Sequence, residues 1–171
     1  MFLNNQLSKL TILIGLSIIA SASFTRQLVV LTEAYVGEKG FLILLAICFL
    51  SLGLFSIISI VIAKPTFKKV FLFIAVLVIG MVFSWHLEPA EVKVHTFEYA
   101  FLGWLAMKDL IRRNKKGKGA ILALTFGILV STLDEVFQLF LPFRVCDTKD
   151  ILLNSLGVLW GIVLYLLYKI K

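Results

Sequence analysis

The chain has 171 residues, of which 60% are hydrophobic and 16% are charged, with a formal net charge of +7. A soluble domain is about 45–50% apolar and about 25% charged, so this composition argues against a soluble protein and indicates an integral membrane protein. The basic residues lie beside apolar segments, which indicates membrane topology rather than nucleic-acid binding.

Six apolar segments are long enough to cross a hydrocarbon core of ~30 Å, which takes roughly 17–25 helical residues. They cover residues 7–24, 41–63, 67–86, 94–111, 119–141 and 151–170. Residues 25–40 mix polar and apolar side chains, which predicts a short interfacial helix lying on the membrane. We therefore predict an all-α fold, a polytopic transmembrane helix bundle with about six spans.

The distribution of charge predicts the orientation of this bundle. With the amino terminus inside, most of the 17 basic residues fall on the inner side, including the run at 112–118, whereas Asp109 is the only one of ten acidic residues there. The positive-inside rule then places both termini in the cytoplasm. In this orientation the polar stretch 131–161 opens outward.

Polar side chains collect at the outer end of three predicted spans. The candidates are His95, Tyr99, Asp134, Glu135, Gln138, Arg144, Asp147, Asp150 and Asn154. His95 and Tyr99 share a helix face with Glu98, Asp134 and Gln138 share one with Glu135 beside them, and Asp150 and Asn154 share a third, because residues three or four apart are neighbours on a helix. On the last span this face continues through Gly157 and Gly161, a Gly-x-x-x-Gly pair that lets another helix approach closely. The pattern predicts closely packed helices below a polar pocket that opens outward.

Each candidate also has a structural interpretation. Asn154 is explained as an interhelical hydrogen-bonding residue, and Tyr99 as an interfacial aromatic. The adjacent acids Asp134 and Glu135 are harder to explain this way, because two carboxylates in an apolar helix are not both ionised cheaply without nearby cations. Either salt bridges from Arg144 and Lys149 form a rigid network, or a divalent cation makes up the missing charge.

Three stretches carry a further signal: H-T-F-E-Y-A-F-L-G-W-L at 95–105, D-E-V-F-Q-L-F-L-P-F-R at 134–144 and D-T-K-D-I-L-L-N-S-L-G-V-L-W-G at 147–161. Together, over roughly residues 93–165, they resemble the VanZ-like family of small bacterial membrane proteins. The residues that match that family's pattern are His95, Tyr99, Glu135, Gln138, Arg144, Asp147, Asp150, Asn154, Gly157 and Gly161.

The resemblance implies a role in the cell envelope and a location in the bacterial cytoplasmic (inner) membrane. The founding member of the family is associated with resistance to teicoplanin, a glycopeptide antibiotic. The resemblance also suggests dividing the chain into a two-span extension, residues 1–66, and a VanZ-like four-span bundle, residues 67–171.

We predict an envelope protein that binds or processes an anionic or lipid-linked molecule at the outer leaflet. Arg144 and Lys149 would hold a phosphate, and Glu135 or His95 would handle a proton as catalytic residues. The sequence leaves open whether the protein is an enzyme. The alternatives are a non-enzymatic subunit or assembly factor with a membrane-protein partner, and, ranked last, a cation transporter. Membrane lipids are expected partners, and nucleic acid is not.

Overall fold

The structure is a computed structural model that describes residues 7–62, 66–88, 90–112, 114–141 and 147–169. Within these ranges the chain forms six helices and no strand. They are α1 (Lys9–Ser21), α2 (Thr25–Ile62), α3 (Phe67–Trp85), α4 (Ala90–Leu110), α5 (Lys116–Gln138) and α6 (Thr148–Lys169). The predicted all-α helical bundle is confirmed.

In the described part of the chain, four helices are long and apolar enough to cross a membrane: α2, α3, α5 and α6. The first helix has 13 residues, and a helix of that length reaches only about 20 Å. Helix α4 does not qualify either, and it carries Lys93, His95 and Glu98 in its first half. Of the roughly six predicted spans, four are therefore supported by helix length and composition. The orientation of the termini stays a prediction.

Helix α2 contains a break at Gly37, whose backbone angles are φ 74° and ψ 161°. This left-handed φ is accessible to glycine because glycine has no Cβ. The break divides α2 into a segment with several polar side chains, residues 25–36, and a long apolar segment, residues 38–62. Both were predicted as helices, with a boundary near residue 40, and the interfacial position of the first stays a prediction.

Helices α4 and α6 approach each other most closely, and glycines make this contact. A Cβ built on Gly161 would lie 1.8 Å from the Ala100 carbonyl oxygen, and one on Gly157 would lie 2.7 Å from the Thr96 carbonyl oxygen. On the opposing helix, a Cβ on Gly103 would lie 2.2 Å from the carbonyl oxygen of Val158. Small residues allow such backbone contact in membranes, and here they bring the polar first turns of α4 and α6 together.

Helix α1 joins the same core at the other end of α4. Its N-cap residue is Ser8, whose Oγ accepts from the Thr11 amide over 3.2 Å. Asp109 Oδ2 accepts from the Ser8 amide over 2.8 Å and from the Thr11 hydroxyl over 2.6 Å. Ile18 of α1 packs in one cluster with buried side chains of α4, α5 and α6. The division of the chain at residue 66 stays a prediction.

Candidate functional site

The candidate site lies where α5 ends and where α4 and α6 begin. These three ends meet because α5 runs antiparallel to both neighbours. Buried polar side chains gather here: Lys93, His95, Thr96, Ser131, Asp134, Glu135, Gln138 and Asn154. Such groups are costly at membrane depth unless other protein groups satisfy them, so their partners determine what the site does.

Tyr99 and Asp134 connect α4 to α5, and both residues have 0% exposure. The Tyr99 hydroxyl donates to Asp134 Oδ2 over 3.0 Å. Tyr99 therefore lies inside the bundle, in contact with one of the two adjacent acids.

Glu135 connects α5 to the start of α6 and is only 1% exposed. Gln138 Nε2 donates to Glu135 Oε1 over 3.1 Å, and the Asp147 amide donates to Oε2 over 3.1 Å. Both carboxylate oxygens therefore accept hydrogen bonds. The second of these bonds ties the entry of α6 to the last turns of α5.

Asp147 caps α6, and its side chain is exposed. Its Oδ1 accepts from the amide of Lys149 over 2.8 Å, as an N-cap aspartate does. Asp150 is half-buried in the first turn of the same helix, where the helix dipole favours a negative charge. These contacts organise the helix start, and a ligand contact of either acid stays a prediction.

Asn154 links α6 to α5 below this start. Its Nδ2 donates to Ser131 Oγ over 3.1 Å, and both residues are buried. Gly157 follows one turn later at the backbone contact with α4. Asn154 therefore makes an interhelical hydrogen bond, as its structural interpretation predicted.

His95 is buried on α4, one turn before Tyr99. Its Nδ1 lies 2.9 Å from Glu98 Oε2 on the same helix. A carboxylate that contacts one ring nitrogen fixes the orientation of a histidine ring. The carboxylate that contacts His95 Nδ1 is thus Glu98, which helical spacing had placed on the same face.

Two further predictions concern ligands. Arg144 lies outside the described residues, so its contact with an anion stays a prediction. Within the described ranges, no group of three or more His, Cys, Asp or Glu side chains is arranged to hold a metal ion. The divalent cation therefore stays a prediction as well.

Sequence reasoning missed Lys93 and Ser131. Lys93 is only 2% exposed; its ammonium donates to Glu88 Oε1 over 2.7 Å and to the Leu87 carbonyl. A lysine two residues before His95 was itself a signal, because charged residues in apolar helices are rare. Little in the sequence indicated that Ser131 belongs to the site, because small hydroxyl residues are common in membrane helices and usually bond to their own backbone.

The polar side chains of α4, α5 and α6 thus bond to one another across three helices, and the outward-facing pocket stays a prediction. The comparisons with known proteins address the family. The family model described as VanZ/LLP1 matches residues 5–169, a wider range than the resemblance over residues 93–165. No match to a curated protein or to a solved structure was found. Because the family match spans almost all of the sequence and includes α1 and α2, this chain is a member of the VanZ/LLP1 family.

Proposed function

We propose that this VanZ-like membrane protein binds an anionic or lipid-linked molecule of the cell envelope where α4 and α6 begin and α5 ends. The observation that carries the proposal is the burial of two adjacent carboxylates, Asp134 and Glu135, inside an otherwise apolar helix. Ionisable residues at membrane depth mark functional sites by default, because a bundle held only by apolar packing has no need of them.

The internal hydrogen bonds suggest which charged residues contact the protein itself and which ones contact the ligand. The two acids accept from groups of the protein itself, the Tyr99 hydroxyl and the Asp147 amide. We assign two basic residues to the ligand: Arg144, between α5 and α6, and Lys149, in the first turn of α6. A guanidinium matches a phosphate with two parallel hydrogen bonds, and an exposed ammonium adds a mobile positive charge.

In this proposal the acids position the basic connection. Glu135 accepts a hydrogen bond from the amide of Asp147, the residue that precedes α6. Any proton transfer on the ligand falls to Glu135 or to His95, whose Nδ1 is oriented by Glu98.

Native mass spectrometry of the full-length protein, released gently from its own membrane, tests the proposal. We expect an anionic adduct on the wild type that is lost in the Glu135→Gln/Arg144→Ala double variant. The matched control is Lys118→Ala at the opposite end of α5, which should keep the adduct. A wild-type chain that carries no such adduct would contradict the proposal.

Growth in the presence of teicoplanin tests the role in antibiotic resistance that the family membership suggests. We expect expression of the wild type in a susceptible bacterial host to reduce teicoplanin susceptibility, and the double variant to have no effect. Equal susceptibility with the wild type and with an empty vector would contradict a role in teicoplanin resistance. The binding of an anionic molecule would then be tested by the adduct measurement alone.

A non-enzymatic subunit or assembly factor is the second candidate function, and the outer surface of the bundle favours it. Large apolar side chains, including Phe55, Phe71 and Ile79, are exposed along α2 and α3. Such surfaces face either lipid or a membrane-protein partner. A protein partner that co-purifies in fixed stoichiometry would support this function, and a stable monomer would count against it.

A further inference from the structure

We propose a second binding site, for an anionic phospholipid, in a groove between the start of α3 and the end of α6. The groove has a volume of about 230 Å³ and is lined by Thr66, Lys68, Lys69, Leu72 and Leu167. It lies at the opposite end of the bundle from Asp134 and Glu135, because α3 begins and α6 ends there. The proposal is therefore independent of the function proposed for the polar end.

This end of the bundle carries most of the positive charge of the protein. Where α4 ends and α5 begins, at the same end of the bundle, the exposed basic residues include Lys108, Arg112, Lys115, Lys116 and Lys118. By the positive-inside rule this end faces the cytoplasmic leaflet, where basic residues beside a membrane helix attract anionic headgroups. The electrostatic field around the groove therefore favours a negatively charged occupant.

The lining of the groove has the same order of polarity as a phospholipid. Lys68 and Lys69 lie in the first turn of α3, and Thr66, its N-cap residue, makes no side-chain capping hydrogen bond. Leu72 lies one turn further along α3, away from the headgroup region. A phosphate would lie beside Lys68 and Lys69, and an acyl chain would contact Leu72 and Leu167.

The size of the groove favours a lipid over a soluble molecule. Pockets for small molecules usually measure about 300–1,000 Å³ and enclose most of the ligand. A phospholipid needs only partial enclosure, because the rest of its acyl chains stays in the bilayer. Leu167, which lines the groove, also packs against an apolar cluster that includes the buried residues Ile60 and Phe73.

Native mass spectrometry with added lipids tests this site on the full-length protein. We compare phosphatidylglycerol with phosphatidylcholine, which has similar chains but no net charge. The test variant is Lys68→Gln/Lys69→Gln, and the control is Lys115→Gln/Lys116→Gln, which removes the same charge from the same end. We expect about tenfold weaker phosphatidylglycerol binding in the test variant and less than about threefold in the control.

A second variant tests the apolar part of the groove while the charge stays constant. Leu72→Trp places a larger side chain in the groove, and because Leu72 is partly exposed, the helix core should tolerate it, as an unchanged circular dichroism spectrum would confirm. We expect this variant to lose phosphatidylglycerol as well. Normal binding by the tryptophan variant would overturn the site.

Three other results would also overturn the proposal. The first is equal loss of binding in both lysine pairs, which would show attraction by the overall charge. The second is equal wild-type binding of phosphatidylglycerol and phosphatidylcholine. The third is displacement of the lipid by inorganic phosphate, which would mean that the acyl chain contributes nothing.

Discussion

The Tyr99 hydroxyl donates a hydrogen bond to Asp134 Oδ2 over 3.0 Å, and neither residue is exposed. This bond joins α4 to α5 in the middle of the polar end. It also gives a buried carboxylate a donor that water would otherwise supply. The Tyr99 hydroxyl therefore contributes to holding α4 against α5 at this end of the bundle.

Replacing Tyr99 by phenylalanine removes that donor and leaves the shape of the side chain almost unchanged. We expect Tyr99→Phe to lower the free energy of unfolding by about 1–3 kcal/mol, the cost of a buried polar group that loses a partner. Reversible denaturation in mixed micelles measures this. Tyr35→Phe is the matched control, because Tyr35 is 88% exposed, and should change nothing. Equal stability of the two variants would contradict the prediction.

Truncating Glu135 should loosen the start of α6. In Glu135→Ala the Asp147 amide loses its acceptor, and we expect hydrogen exchange at this amide to speed up about tenfold or more. The Lys149 amide is an internal control, since its acceptor is the Asp147 side chain and its protection should persist. Glu135→Gln retains an acceptor oxygen and should have a smaller effect. Unchanged exchange at Asp147 in the alanine variant would contradict the assigned contact.

Adding one methyl group at Gly161 should separate α4 from α6. The new Cβ would overlap the Ala100 carbonyl, which is backbone and has no rotamer with which to move away. We expect Gly161→Ala to destabilise the fold by roughly 1–3 kcal/mol or more, as overpacking does. The control is Gly117→Ala, where a Cβ meets nothing within 4 Å. If both variants unfold like the wild type, the helices do not approach as described.

Asp109 should determine whether α1 stays docked. In Asp109→Ala, the Ser8 amide and the Thr11 hydroxyl lose a shared acceptor, and we expect faster hydrogen exchange across α1, by about tenfold. Asp109→Asn keeps one acceptor oxygen and should lie between the alanine variant and the wild type. Exchange in α1 that is the same in all three proteins would show that apolar packing alone holds this helix.

The lengths of the apolar helices could be read from the sequence. The prediction of a helix over residues 67–86 compares with Phe67–Trp85 in the structure, and 151–170 compares with Thr148–Lys169. Hydropathy succeeds here because a helix that crosses a hydrocarbon layer must be apolar over a fixed length. The same measure missed the beginning of α4, predicted at residue 94 and found at Ala90, since that turn is polar.

The sequence predicted which residues belong to the site, but not which of them hydrogen-bond to one another across helices. Helical spacing placed Asp134 and Gln138 on one face, with Glu135 three residues before Gln138, and Gln138 bonds to Glu135. Asp134, by contrast, bonds to Tyr99 on another helix. Which side chains bond between two helices depends on how each helix is rotated about its axis and on how far it is shifted along that axis. Single-helix periodicity contains neither quantity, which is why Ser131, the partner of Asn154, was missed.

By itself, the sequence determined the class of the protein, an all-helical membrane protein, and its family, because composition and motif order depend on the chain alone. Tertiary structure decided which polar groups meet. Backbone contact at Gly157 and Gly161 fixes the distance between α4 and α6, and that distance positions the polar turns above it against α5. Buried polar atoms must then find partners within about 3 Å, and only the packed arrangement of helices provides them.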